Sequence, residues 1–158
     1  MSQSNAQILM ESLEKKNRIL DEIIRENEVQ EKILKEEELD MDALDESTDR
    51  LGVFAEQLER LDDGFEAVYD RTREELIANK ENYRREITRM QELIGQITDK
   101  VVKINAAQLR NKRQADSQFK KSRDQIGKAV SQVKASRNYY NNMNRLNYVA
   151  PQFYDNKK

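Results

Sequence analysis

Between residues 44 and 68, apolar side chains return every seven positions, at Leu44, Leu51, Leu58 and Phe65, with Phe54, Leu61 and Val68 interleaved. A seven-residue apolar repeat holds one narrow stripe of an α-helix toward a neighbouring helix, so the spacing predicts a coiled-coil seam. Gly52 and Gly64 fall inside the stripe, and Asp62-Asp63-Gly64 has the composition of a turn. The stripe keeps phase across both, which reads as one helix with tolerated glycines. Only 4 glycines and 1 proline occur in 158 residues, too few to punctuate a β fold.

Similar stripes precede and follow this one. Ser4-Asn-Ala-Gln7 has capping-box form, with Ser4 accepting from a free amide of the first turn and Gln7 reaching back. From there Ile8, Leu9, Leu13, Ile19, Leu20, Ile23, Ile24, Ile33 and Leu34 recur at three- and four-residue spacing. They predict a first helix of about 33 residues, roughly 50 Å long. Asn27 and Gln30 interrupt that seam, where polar residues set register. The stretch EEELDMDALDESTD, residues 36–49, carries eight acids and no base, but lacks the central glycine and spaced glutamate of a calcium loop. It reads as a corner between helices, with Asp40 and Asp42 capping the second.

A break is expected near Asn79, followed by a third seam through Tyr83, Ile87, Met90, Ile94, Ile97, Val101 and Ile104. The same phase then gives Gln108, Asn111, Ala115, Gln118 and Ser122, so the helix is expected to leave the bundle after Ile104. Apolar residues resume on a shifted stripe, Phe119, Ile126, Val130, Val133 and Tyr140, with Met143 nearby, and Pro151 stops the helix soon after Val149. Periodicity leaves three partners open for this stripe: a client protein, a second copy, or the first two helices. The expected fold is all-α, an elongated antiparallel helical bundle or coiled coil of about three long helices, the last one extended. One domain is expected over residues 1–150, with a short polar tail at 151–158.

Composition bounds the function. Cysteine, histidine and tryptophan are absent, which removes disulfides, thiol nucleophiles, Cys/His zinc sites and histidine acid–base chemistry. Carboxylates remain, but a ferritin-like di-iron site needs histidines beside them, so neither an enzyme nor a metal or cofactor is expected. The opening MSQSNAQILMESLEKK lacks the cationic and apolar regions of a signal peptide, and no window approaches a membrane span, so a cytoplasmic location is expected.

Charge is divided along the chain. Residues 1–99 carry 27 acidic and 14 basic side chains, whereas residues 100–158 carry 3 acidic and 14 basic. The simplest consequence is a basic C-terminal helix lying along acidic N-terminal ones; the alternative is a nucleic-acid surface between Lys100 and Arg137. Only Phe119 is placed there to stack on a base, which favours the first. Four of the six tyrosines, Tyr139, Tyr140, Tyr148 and Tyr154, sit with Phe153 in the last twenty residues. A tail this aromatic after so polar a body implies a surface to dock on, within the chain or outside it.

In the order of its parts the chain resembles the flagellar type III export chaperones of the FlgN and FliT kind. The resemblance is carried by the opening Leu/Ile/Glu-rich helix, the corner LDMDALDESTDR leading into a heptad helix, and a polar final helix ending in LNYVAPQFYDNKK. It implies a bacterial cytosolic chaperone that binds the C-terminal helical region of late flagellar substrates, hook–filament junction or filament cap proteins, and delivers them to the export gate. It also implies a client surface at Phe119, Ile126, Val130, Val133, Tyr140 and Met143, and gate docking by Tyr148 or Tyr154. A coiled-coil scaffold that dimerises without a client is the competing expectation.

Overall fold

The computed structural model describes residues 4–123 and 129–146, and among them forms four helices and no strand. These are α1 (Asn5–Lys35), α2 (Met41–Ala78), α3 (Arg84–Arg123) and α4 (Ala129–Leu146). At 1.5 Å per residue α2 and α3 each run to about 60 Å. The expected all-α bundle is present, but its element count differs: three long helices are joined by a fourth of 18 residues rather than ending in one extended helix.

Pairings across the helices define the bundle. Lys16–Asp62 and Glu26–Arg50 place α1 antiparallel to α2, whereas Asn17–Gln96 and Asn111–Asn27 place it parallel to α3. α4 runs parallel to α2, from Asn138 beside Asp49 to Arg145 beside Glu59, and antiparallel to α3. α1 packs on both α2 and α3, and so does α4, while α2 and α3 scarcely touch; α1 and α4 therefore lie on opposite sides of the gap between α2 and α3.

Local chemistry sets the ends. Ser4 Oγ accepts from Gln7 N at 3.1 Å, but Gln7 Nε2 turns to Glu11 Oε1 at 3.4 Å, so only half of the expected capping box forms. Asp40 caps α2, accepting from Ala43 N at 3.0 Å, with Asp42 in the first turn where the helix dipole favours an acid. Asn79 closes α2 at the expected break: its N–H donates to Glu75 O at 3.0 Å. Tyr83, expected to open the third seam, instead belongs to the turn and donates its hydroxyl to Glu75 Oε1 at 2.8 Å.

The α1 seam runs without a misstep through Ala6, Leu9, Leu13, Lys16, Leu20, Ile23, Asn27, Gln30 and Leu34, all buried. Lys16 occupies a seam position, and its Nζ meets Asp62 Oδ1 at 2.7 Å, which accounts for an aspartate inside the α2 heptads. Burial pushes the Lys16 ammonium down and the Asp62 carboxyl up, and the attraction between them opposes both. In α2 the second seam position falls to Thr48 and Ala55, which are buried, while Phe54, Leu61 and Val68 lie half-buried at its flank. Gly52 is there for close approach: a Cβ would lie 2.2 Å from Asn142 Oδ1 of α4.

The chain departs most from expectation after Ile104. The helix does not leave the bundle: Gln108, Asn111, Ala115, Gln118 and Ser122 stay in phase and are buried. Asn111 Nδ2 donates to Asn27 O at 3.1 Å, and Gln118 Nε2 donates to Leu34 O at 3.0 Å and Glu36 O at 2.6 Å. The last carbonyls of a helix lack intrahelical donors, and here the polar seam of α3 supplies one. Lys121 Nζ adds a bond to Glu37 O.

Candidate functional site

Two surfaces are candidates, the α4 stripe and the aromatic end of the chain, and the structure describes the first. Phe119 and Met143 are buried, Tyr140 is half-buried against the core, and Val133 is 49% exposed. Val130 falls within α4; Ile126, Tyr148 and Tyr154 lie outside the described residues. Most of the described stripe thus packs inside the protein's own bundle.

What holds it there is an aromatic joint. Phe119 meets Tyr139 and Tyr140 edge-on with ring centroids 6.1 Å apart in each case, and the two tyrosines lie 5.4 Å from each other. Edge-to-face geometry aligns the positive ring edge with a negative face, and adds to the area buried. Tyr140 donates its hydroxyl to Asp116. The more enclosed ring is Tyr139, which falls outside the stripe because its neighbour is the one that fits the seven-residue spacing. Its hydroxyl has no hydrogen-bond partner among the described residues. Burial first, then the nearby Tyr140 and Asp116, push its ionisation well above the usual tyrosine range.

The outer side of α4 is polar and meets acids. Asn138 Nδ2 donates to Asp49 Oδ1 at 3.1 Å, and the Arg145 guanidinium reaches Glu59 Oε2 at 3.2 Å and Glu56 Oε1 at 3.3 Å. On α3, Lys100 Nζ lies 2.8 Å from Asp21 Oδ1. Basic C-terminal side chains therefore lie along acidic N-terminal helices, as the charge division implies. Two acids of the 36–49 run, Asp45 and Asp49, accept from Asn138. Among the described residues no group of three or more His, Cys, Asp or Glu is placed to hold a metal ion, and no helix is long and apolar enough to cross a membrane.

A third surface is not apparent from the sequence. Leu9 of α1 lies beside Phe65, and Gln7 and Met10 lie beside Arg85 and Arg89, so α1 follows α3 to its first turn, whereas α4 stops at Leu146, next to Arg145 beside Glu59, and leaves the tip of α2 and α3 uncovered on its side. Between them lies a groove of about 390 Å³. Phe65, Tyr69, Leu76, Ile77, Ile87, Met90 and Ile94 form its apolar wall, and Arg73, Lys80 and Arg84 stand on its rim with Glu81, which lies 3.9 Å from Arg84. Phe65 and Tyr69 stack with centroids 5.9 Å apart and planes inclined by 16°. Ile77 is 58% exposed. Groove walls share the spacing of a seam, which is why Phe65 and Ile87 fit the seam pattern; the usable signal is Leu76-Ile77, which continues the apolar pattern beyond Val68.

Comparison with protein-family models finds no match, and comparisons with curated proteins and with solved structures find none either.

Proposed function

We propose that this protein is a helical protein-binding module of the chaperone kind, and that the α2–α3 groove takes the apolar face of a partner's amphipathic helix. The observation that carries the reading is the groove itself: an apolar wall of seven side chains beneath a rim of three cations and one acid, Glu81, a composition suited to a helix whose flanks are predominantly acidic. Helix-in-groove recognition buries apolar residues at i, i+3/i+4 and i+7 of the incoming helix, and the length from Phe65 to Ile77 accommodates about three turns.

The resemblance noted in the sequence gives the partner a class: the C-terminal helical region of late flagellar export substrates, held in a bacterial cytoplasm before delivery to the export gate. The client surface moves, however. Phe119, Tyr140 and Met143 serve to fasten α4, so contact through them requires α4 to detach, whereas the groove wall lies at the tip.

Calorimetric titration with a helical C-terminal fragment of a hook–filament junction or filament cap protein tests this reading. Ile77→Glu puts a charge on an exposed position of the wall, where it does not threaten the fold, and should weaken binding by about tenfold or more. Arg73→Glu with Arg84→Glu should weaken it less and remove most of its salt dependence. Binding that ignores both changes but disappears with Val133→Asp would return the client to α4. No binding of any such fragment, together with a dimer in light scattering that Ile77→Glu dissociates, would replace the chaperone reading by the scaffold one.

A further inference from the structure

We propose that the groove has an occupant within the chain: the C-terminal segment Asn147–Lys158, inserting Phe153 and Tyr154 between α2 and α3. The inference deepens the reading above by naming what covers the same groove when no partner is bound.

Direction is the first support. Asn138 beside Asp49 and Arg145 beside Glu59 make α4 climb along α2 toward the tip, on the side of the gap between α2 and α3 opposite α1. Its last described residue, Leu146, therefore delivers the chain to the lower end of the groove, one and a half turns of α2 below Phe65.

Length is the second. From Glu59 to Ile77 α2 rises about 27 Å at 1.5 Å per residue, and twelve residues reach up to about 40 Å when extended. The segment spans the groove without strain and without slack for a distant site. Pro151 lacks a backbone N–H and disfavours helix at the residue before it, so residues 151–158 are suited to lying along a groove as an extended strip.

Chemistry is the third. Tyr148, Val149, Phe153 and Tyr154 give this short segment four large apolar or aromatic side chains, the groove offers the Phe65–Tyr69 stack, and the charges that follow, Asp155, Lys157 and Lys158, are matched by a rim of both signs, Arg73, Lys80 and Arg84 with Glu81. Aromatic rings supply large contact area at the cost of few rotatable bonds, which suits a short tethered strip. Tethering removes most of the association cost, so contacts too weak for a free peptide suffice. Tyr148 and Tyr154, to which the resemblance gives gate docking, are assigned to the groove instead.

The chain has no cysteine, so a single Tyr154→Cys variant carries one nitroxide label at one place. In the full-length protein, with isoleucine δ-methyls observed by NMR, the label should broaden Ile77, Ile87 and Ile94 and spare Ile33 near the far end of α1. Adding Ile77→Glu should restore Ile87 and Ile94. A second measurement is independent of the label: a synthetic 147–158 peptide should bind the chain truncated after Leu146 and bind the full-length chain at least about tenfold more weakly, since the tethered copy holds the site. Broadening of other isoleucines while Ile77, Ile87 and Ile94 stay sharp, no broadening on the bundle, or broadening only between labelled and unlabelled molecules would each overturn the proposal. None of these readouts uses a client, so a chaperone that binds no flagellar fragment and still shows groove broadening would lose its proposed function while keeping its occupant.

Discussion

The two halves of α3 bury the same face with opposite chemistry. From Met90 to Ile104 the seam is Met, Leu, Ile, Ile, Val and Ile; from Gln108 to Ser122 it is Gln, Asn, Ala, Gln and Ser, and the second set is as enclosed as the first. The first half gains from apolar area removed from water. The second half gains little that way and is held because its amides find carbonyl acceptors, Asn27 O within α1 and Leu34 O and Glu36 O at its end, where the last two lack intrahelical donors. The same stretch of bundle contains Glu26, buried yet bonded to Ser47 at 2.8 Å and Arg50 at 2.7 Å. Burial in this protein thus follows seam phase rather than hydrophobicity, and the polar half is the one whose stability depends on individual bonds.

The largest effect should come from breaking the apolar half. Ile97 is fully buried, and Ile97→Asp puts a carboxylate in a seam whose cation, Lys16, is already paired with Asp62, costing at least about 4 kcal/mol. Circular dichroism should show the loss of a cooperative thermal transition. A folded variant with a melting temperature near the parent's would mean that the tip half is not a tight seam.

Gln118→Ala tests the polar half. It removes two bonds to the end of α1 and leaves their carbonyls unpaired, an expected loss of about 1–3 kcal/mol. Because the acceptors lie at Leu34 and Glu36, amide exchange should accelerate in the last turn of α1 before it does in α2. A uniform acceleration across the bundle would show the amide to be ordinary packing.

Not every polar seam residue is so placed. Neither side-chain atom of Asn27 nor of Gln108 has a partner among the described residues, although both residues are buried. Replacing both by leucine should be neutral or raise stability by about 1 kcal/mol, since unpaired buried amides carry a desolvation cost that an apolar side chain avoids. Chemical denaturation measures this, and a clear loss would reveal that the amides are paired in solution.

This contrast also explains what was legible in the sequence. The seams at 44–65 and 87–104 could be read because apolar periodicity is a statement about side chains alone. The polar continuation to Ser122 could not, since its partners are backbone carbonyls of α1, and a carbonyl has no letter. The shifted stripe is visible as a stripe, yet spacing carries no information about which surface it meets; the Phe119–Tyr139–Tyr140 joint, which decides that, exists only once α4 lies against α3. Lys16 and Asp62 show the same limit from the other side: each breaks its own stripe, and only the antiparallel pairing of α1 with α2 makes them one ion pair.

The smallest effect, at neutral pH, belongs to Tyr139, where the polar and apolar accounts meet in one side chain. Its ring is part of the joint, while its hydroxyl is enclosed without a partner among the described residues. Tyr139→Phe keeps the ring and removes the unpaired group, so stability near pH 7 should change by no more than about 1 kcal/mol, toward greater stability. The pH dependence is the sharper readout. Folding raises the pKa of this tyrosine above its ordinary value of 10.0, so the folded chain keeps the proton where the unfolded chain releases it. The corresponding stability is present below pH 10 and is lost as the pH climbs from there toward the folded value, by about 1.4 kcal/mol per pH unit. Denaturation of the parent and the variant at pH 8, 10 and 11 should give a stability gap in favour of phenylalanine that widens only above pH 10. Comparing the two proteins cancels the other tyrosines and the lysines, which titrate alike in both. A gap that stays constant to pH 11 would place the hydroxyl in contact with solvent, and α4 would then be packed more loosely on α3 than the edge-to-face joint requires.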